Sequence, residues 1–384
     1  MLKIERVNIY KIFLAFTGDY SISQRQGLYS DNNIIVEIVT DNDKVTGYGE
    51  GVPVEVVTGE TQDLAARNAV RFIRGYRFPW RLNDVSQIWD YVDNLPMGME
   101  NNAAICALEM ALLDTLGKHE KKSILSYFPQ DYYTGSINYG ASITLGDKKR
   151  VTKLCRIVNG LGIKDLRIKL GRDFEQNRIS METVRKIFGR ECNLRIDPNR
   201  AWDKAIAIRH LPLISKYDVR IVEEPMNPND DSFREVTQLL KNMGIILMAC
   251  ESAPTLVEVE RIVDEGYYQM INVKLNRSGG FRRSLRIIEY IRKEGLFFQI
   301  GCTLGESGIL SAGGRALGLL CSDALHYDGS YDKFLLEKNV TTEDVTFGPG
   351  GEAGPLPGFG LGVEVSKVRL AELKKDVATI RKDA

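Results

Sequence analysis

Between residues 165 and 302 a series of short apolar runs ends in polar groups at nearly constant intervals. Asp165-Leu-Arg-Ile-Lys169, Leu194-Arg-Ile-Asp-Pro-Asn199, Ile221-Val-Glu-Glu-Pro225, Met248-Ala-Cys-Glu-Ser252 and Ile271-Asn-Val-Lys-Leu-Asn276 place Lys169, Asp197, Glu223, Cys250 and Lys274 at strand ends 24 to 28 residues apart. Gly301-Cys302 follows at the same interval. Helix-like segments such as 179–188, 231–241, 256–264 and 282–293 lie between these runs. A strand-plus-helix unit at this period, with polar residues at the strand ends, predicts a (β/α) barrel of TIM type. In that fold the active site gathers at the C-terminal ends of the strands, where these residues fall.

Within the first of these runs Arg167 and Lys169 alternate with Ile168, so both side chains share one face of a strand. Taken alone, an R-x-K pair reads as a strand with a basic exposed face. In register with the other polar strand ends it reads as part of a site, where a neighbouring cation favours the free amine of a lysine base.

The order R-x-K, D-P-N, E-E-P, x-E-S and K-L-N-R-S-G-G resembles the enolase superfamily, and lysines on both flanks place it nearest the muconate lactonizing enzyme subgroup. The resemblance covers nearly the whole chain. It implies an α/β architecture in which a modified barrel is covered by an α+β capping domain built from the N-terminal part and the C-terminal tail. The expected division is a cap over 1–130, a barrel over 131–335 and a returning segment over 336–384.

The rest of the chain suits that division. The 384 residues are enough for a large barrel and a smaller domain, and 43% hydrophobic content is ordinary for a globular protein. Lys+Arg and Asp+Glu balance at 51 each, which leaves no electrostatic footprint for nucleic acid or an anionic membrane. No apolar run reaches membrane-span length, the first residues lack the apolar core of a signal peptide, and the six cysteines form no C-x-x-C pair. A cytoplasmic protein with reduced thiols is expected.

In the first 130 residues, 4–13, 33–40 and 45–50 read as strands with a polar turn at Asp41-Asn-Asp-Lys44. Helical periodicity follows at 62–74, 85–92 and 101–118, the last with Ala104, Leu108, Ala111 and Leu112 on one stripe. The resemblance makes Phe16-Thr-Gly-Asp-Tyr-Ser21 and the Gly49-Glu-Gly-Val-Pro53 and Val57-Thr-Gly-Glu-Thr61 segments loops that close over substrate. Ser278-Gly-Gly280 lacks a phosphate-binding spacing and reads as a tight strand-to-helix turn. Residues 298–307 read as the last barrel strand and its loop, and 345–365 is too rich in glycine and proline for a barrel helix.

The chemistry implied is removal of a proton from carbon next to a carboxylate, with a divalent ion such as Mg²⁺ stabilising the enolate and lysine as base. Asp197 and Glu223 are the expected metal ligands, and Asn199 a supporting partner. Lys169 and Lys274 would flank the substrate carbon. Two departures from the family pattern stand out. Arg167 occupies the place of a usual lysine and cannot itself shuttle a proton. Cys250 occupies the third ligand position, where a thiolate suits softer ions than Mg²⁺. Glu251 could substitute, although strand alternation points it away from the barrel axis.

Among other polar residues, His119 and His210 fall on helices as packing or surface groups, and His326 follows the last predicted strand. Glu306 lies in the last strand's loop as a candidate substrate contact. The 57–61 segment is similar to those of dipeptide epimerases, whose Asp-x-Asp grips a substrate ammonium. Here Asp328 and Ser330 stand at that spacing, half of the clamp. Three readings follow: a racemase or epimerase of an amino-acid derivative or dipeptide; a dehydratase like o-succinylbenzoate synthase, or a cycloisomerase; or a non-catalytic carboxylate-binding barrel. The expected partner is a small-molecule carboxylate, in a homo-oligomer as in relatives.

Overall fold

The computed structural model describes residues 1–18, 29–41 and 44–382. The N-terminal part is an antiparallel sheet in which β1 (Leu2–Ala15) pairs with β2 (Ser30–Thr40), β2 with β3 (Thr46–Gly51), and the short β4 (Arg81–Leu82) with the start of β1. The chain at Asp41 and Lys44 turns between β2 and β3, and its centre, Asn42 and Asp43, lies outside the described residues.

Helices Gln62–Gly75, Ser86–Asp93 and Asn102–Glu120 follow where the periodicity placed them. The third departs from the amphipathic stripe read from its sequence, because every residue from Asn102 to Gly117 is buried. It lies between the sheet and the barrel's own helices, so no face meets water. Its approach to the sheet is close because β3 presents Gly47, Gly49 and Gly51 to it. A Cβ at those positions would overlap Thr115, the Ala107 carbonyl and the Ala103 carbonyl.

The barrel follows the short β5 (Ile137–Asn138). Its strands are β6 (Ala141–Ile143), β7 (Asp165–Lys169), β8 (Asn193–Asp197), β9 (Ile221–Glu223), β10 (Ile246–Ala249), β11 (Met270–Lys274), β12 (Phe297–Gly301) and β13 (His326–Tyr327). All neighbours pair parallel in sequence order. A bridge between Tyr139 and Tyr327, with Gly140 N donating to the Tyr327 carbonyl at 2.7 Å, closes the ring. Apolar side chains of the strands pack against the helices outside, while Arg167, Arg195, Asn272 and Gln299 carry polar groups inside the barrel.

Several of those helices start on an aspartate whose carboxylate accepts an N–H of the first turn: Asp147, Asp173 and Asp203. The Asp173 cap starts its helix at Phe174, five residues before the periodicity became visible. The Ser278-Gly-Gly280 turn is a turn, with both glycines at positive φ. The buried Glu109 accepts from Phe281 N and Arg282 N there, satisfying two first-turn donors of the following helix.

One correction concerns strand count. Residues 297–301 form the seventh barrel strand, and His326–Tyr327 forms the eighth. Two residues are too short for a periodicity to show. Beyond the barrel, β14 (Glu352–Ala353) pairs with β5, and β15 (Lys374–Arg381) adds to the free side of β1, so the C-terminal segment returns to the N-terminal sheet. Among the described residues no helix is long and apolar enough to cross a membrane.

Candidate active site

The parallel order turns the sequence interval into a ring. Lys169 closes β7, Asp197 β8, Glu223 β9 and Lys274 β11, and Cys250 follows β10. Since β7 and β11 are the second and sixth of eight strands, the two lysines stand on opposite sides of the barrel mouth. Both line one cavity, together with Arg167, Asn199 and Glu251.

Lys169 lies in register with Asp197 across β7 and β8 and donates to its carboxylate, and to Asn199 Oδ1 at 3.0 Å. Asn199 in turn donates its backbone N–H to Asp197 at 2.8 Å and its amide to Glu251 Oε1 at 2.9 Å. Lys274 makes no hydrogen bond among the described residues. Burial opposes its charge, but Cys250, Glu223 and Glu251 outweigh that and hold its pKa above the ordinary value. The acids titrate apart. Burial and the neighbouring Glu223 push Asp197 up to about 7. Burial also opposes the Glu223 carboxylate, yet Arg167 and both lysines hold it well below its usual range.

Arg167 does not act as a free cation beside Lys169. Its guanidinium faces Glu223 and Asp328, each at 3.2 Å, and donates to Ser142 Oγ at 2.9 Å. Asp328 is shared with Arg195, at 3.0 Å, which fills the barrel interior without exposure and also donates to Gln299. At the far rim Asp165 bonds His326. So Asp328, expected to touch substrate, is a structural counter-ion. His326 belongs to the opposite end of the barrel.

These contacts predict an acid-sensitive core. Burial opposes ionisation of Asp328, but Arg167 and Arg195 hold its pKa down at about 2, against an ordinary 3.8. Its pairing therefore stabilises the fold above pH 4 and is lost as pH falls through about 2, a contribution of about 2 kcal/mol. Asp328→Asn should cost about 3–5 kcal/mol at neutral pH by leaving two buried guanidiniums short of a counter-charge. Denaturant titrations of both proteins at pH 7 and pH 3 check this. Equal stability at pH 7 would show that the network is not needed.

The segment after β10 also differs from expectation. Glu224 Oε1 accepts both Cys250 N and Ser252 N, at 2.9 and 2.8 Å, so the chain curls around that carboxylate. The residue between them is projected into the cavity. Strand alternation ends at Ala249, which is why Glu251 points inward and not away. Cys250 does not line the cavity. Its buried Sγ receives Arg277 Nη1 at 3.1 Å and Asn272 Nδ2 at 3.5 Å. Burial, with Glu251 nearby, pushes its thiol pKa far up.

Oxygen donors for a hard ion are present in Asp197, Glu223 and Glu251. Among the described residues no three such side chains already converge into a cage. The observation that favours an ion is Glu251 Oε2, a buried carboxylate oxygen with no hydrogen-bond partner. Carboxylate oxygens suit Mg²⁺, so the donor set fits that ion.

The remaining walls come from elsewhere. Glu306 lines the cavity, as do Val54, Val57 and Thr58 of the segment expected to cover substrate. Asn276 ties that segment to the β11 turn by donating to the Val52 carbonyl at 2.8 Å and accepting Val52 N at 2.9 Å. Of the other expected loop, Phe16 bridges Leu336 and Thr17 N donates to Leu335, while Asp19, Tyr20 and Ser21 lie outside the described residues. His210 packs between Trp202 and Asn177 as a core residue. Arg277, Asp31 and Asp332 also line the cavity and were missed. Arg277 stands one helical turn beyond Lys274, and Asp332 four residues after Asp328, so local spacing could have flagged both. Nothing in the sequence pointed to Asp31.

An eight-stranded parallel barrel under an antiparallel cap, with acid, amide and amine groups at the strand ends, matches a known family. Residues 150–369 match the family described as Enolase C-terminal domain-like, and the chain belongs to the enolase superfamily. The chain is 26% identical over 380 residues to the hydrophobic dipeptide epimerase of Enterococcus faecalis, covering 97% of each. In structure it superposes on the N-succinyl Arg/Lys racemase of Bacillus cereus with TM-score 0.85 at 21% identity, covering 99% of this chain and 100% of the other. It likewise superposes on a dipeptide epimerase of Cytophaga hutchinsonii, complexed with Mg and the dipeptide D-Ala-L-Val, with TM-score 0.84 at 23% identity, covering 99% and 100%. These relatives are isomerases.

Proposed function

We propose that this chain is a racemase or epimerase that removes and returns the proton α to the carboxylate of an amino-acid derivative or dipeptide. The observation that carries this is the placement of Lys169 and Lys274 on opposite strands of the ring, facing one cavity. A substrate carbon between them presents one face to each amine, so one lysine can take the proton while the other delivers it. Asp197, Glu223 and Glu251 would hold a divalent ion. When bound, that ion supplies positive charge against the developing enolate.

The chain's own groups do the rest. Asn199 holds Lys169 in place through its Oδ1 and orients Glu251 through its amide. Arg167 neutralises and positions Glu223 without moving a proton. Val54, Val57 and Thr58 wall the cavity on the cap side and help keep water from the carbanion. Since the thiol of Cys250 faces Arg277, the donor set that remains is all oxygen, and Mg²⁺ is the proposed ion over softer ones.

The unequal setting of the lysines favours a second reading. Lys169 is held by Asp197 and Asn199, whereas Lys274 is unbonded, as in a one-base dehydratase or cycloisomerase where the other amine only stabilises charge. Incubating the protein with Mg²⁺ and a panel of dipeptides and N-acylated amino acids in D₂O, followed by NMR and chiral analysis, separates the two. A two-base epimerase incorporates deuterium and inverts the centre. Incorporation with retained configuration would replace it with the one-base reading. No incorporation into any compound would count against proton abstraction.

A further inference from the structure

The cavity wall that follows β12 is carried by the cap. Cys302, Thr303, Leu304 and Glu306 line the cavity from this loop. Among the described residues, every hydrogen bond from 303–307 to another element ends in the cap, apart from those into the helix Gly308–Leu319 that the loop enters. The centre of the contact is Glu50, near the end of β3 and without exposure. Its carboxylate accepts Ser307 N at 3.0 Å, Ser307 Oγ at 2.7 Å, Leu310 N at 2.9 Å and Asn33 Nδ2 at 2.6 Å. The same Asn33 amide, on β2, donates to the Gly305 carbonyl at 2.8 Å. Burial raises the Glu50 pKa, and all four donors oppose that rise. The approach is close, because a Cβ on Gly305 would come within 2.7 Å of Asp31. Two residues past Glu50, Val52 is held by Asn276, itself two residues past Lys274. One strand end of the cap therefore registers this wall against the turn after Lys274.

We infer that Glu50, with Asn33, is a positioning residue that fixes the 302–307 wall relative to Lys274, so that its loss weakens substrate binding while the acid–base groups stay intact. This rests on the proposed function for what enters the cavity. The physical reason lies in the donors. Ser307 N and Leu310 N have no acceptor other than Glu50 among the described residues, and a buried donor left unpaired costs more than its bond contributes. A glutamine at position 50 turns an amide N–H₂ toward one of these donors, which pushes the loop from its place.

Comparing Glu50→Gln with Glu109→Gln tests this. Glu109 is an equally unexposed cap carboxylate set on a barrel helix, where it accepts Phe281 N and Arg282 N, but it lies off the cavity. Amide hydrogen exchange of the Mg²⁺-loaded protein, read by mass spectrometry, should run about 10- to 100-fold faster over 303–310 in Glu50→Gln and stay unchanged there in Glu109→Gln. For whichever compound of the D₂O panel exchanges its α-proton, KM should rise about 10-fold in Glu50→Gln with kcat within about 3-fold, and Glu109→Gln should move neither. Should Glu50→Gln not fold, Ser307→Ala removes one bond to the same carboxylate, and changes of the same kind of about 3-fold are expected. Unchanged amide exchange over 303–310, equal KM changes in the two variants, or a lower melting temperature with KM unmoved would overturn the inference. The amide measurement uses no substrate, so the two ideas fail separately. Faster amide exchange with no compound turned over removes only the catalytic reading, and turnover with an undisturbed loop removes only the positioning role.

Discussion

Lys169→Ala and Lys274→Ala should each abolish racemisation, with a loss of about 10²-fold to 10⁴-fold, the ordinary worth of a positioned acid or base. Exchange of the α-proton should behave differently. A two-base site that has lost one amine still lets the other remove a proton from its own face. Each variant should therefore exchange one enantiomer with D₂O and not its mirror image, and the surviving enantiomer should differ between the two variants. The geometry behind this is that β7 and β11 lie four strands apart in a ring of eight. The two effects need not be equal, because Lys169 also bonds Asp197 and Asn199. Its removal disturbs a carboxylate of the candidate metal site as well as a base, so Mg²⁺ affinity should be measured alongside. Equal residual exchange by both variants on both enantiomers would leave two-base catalysis without support.

Glu251→Gln should weaken Mg²⁺ binding by about 10-fold or more, a loss of at least about 1.4 kcal/mol, because it takes a charged oxygen donor from a set that Cys250 does not supplement. Cys250→Ala should leave the affinity within about 3-fold. Cys250→Asp tests the alternative in which residue 250 is the third ligand. The structure predicts little tightening, since a carboxylate there meets the Arg277 guanidinium that now contacts the thiol. Calorimetric titration of Mg²⁺ and Mn²⁺ into these variants, with Asp197→Ala as the control that loses binding, reads all of these outcomes. If Cys250→Asp tightens Mg²⁺ strongly while Glu251→Gln changes nothing, the ligand is residue 250, and the loop around Glu224 must open to deliver it.

The sequence by itself determined the barrel and the register of its mouth. The strands are short and buried and carry polar side chains inside the barrel as well as at their ends, so it is the recurring interval of 24 to 28 residues that marks where they reach the mouth. That is why Lys169, Asp197, Glu223 and Lys274 could be placed from their spacing. Packing helices such as Phe233–Asn242, Leu256–Glu265 and Phe281–Lys293 were legible from the same repeat, whereas Lys148–Gly160 and Gly308–Leu319 were not placed, the Asp173 cap set the start at Phe174, and Asn102–Glu120 is buried from Asn102 to Gly117. Tertiary structure decided what lies beyond the strand ends. Glu251 turns inward because Glu224, on the neighbouring strand's end, gathers the two flanking N–H groups, and no local pattern encodes a contact across 26 and 28 residues. Asp328 is occupied because Arg167 and Arg195, both more than 130 residues earlier, converge on it inside the barrel. Asp31 reaches the site only because the cap folds over the mouth. Periodicity reports which side of an element faces the core. Which charges meet there is a long-range property, set when the ring closes and the cap comes down.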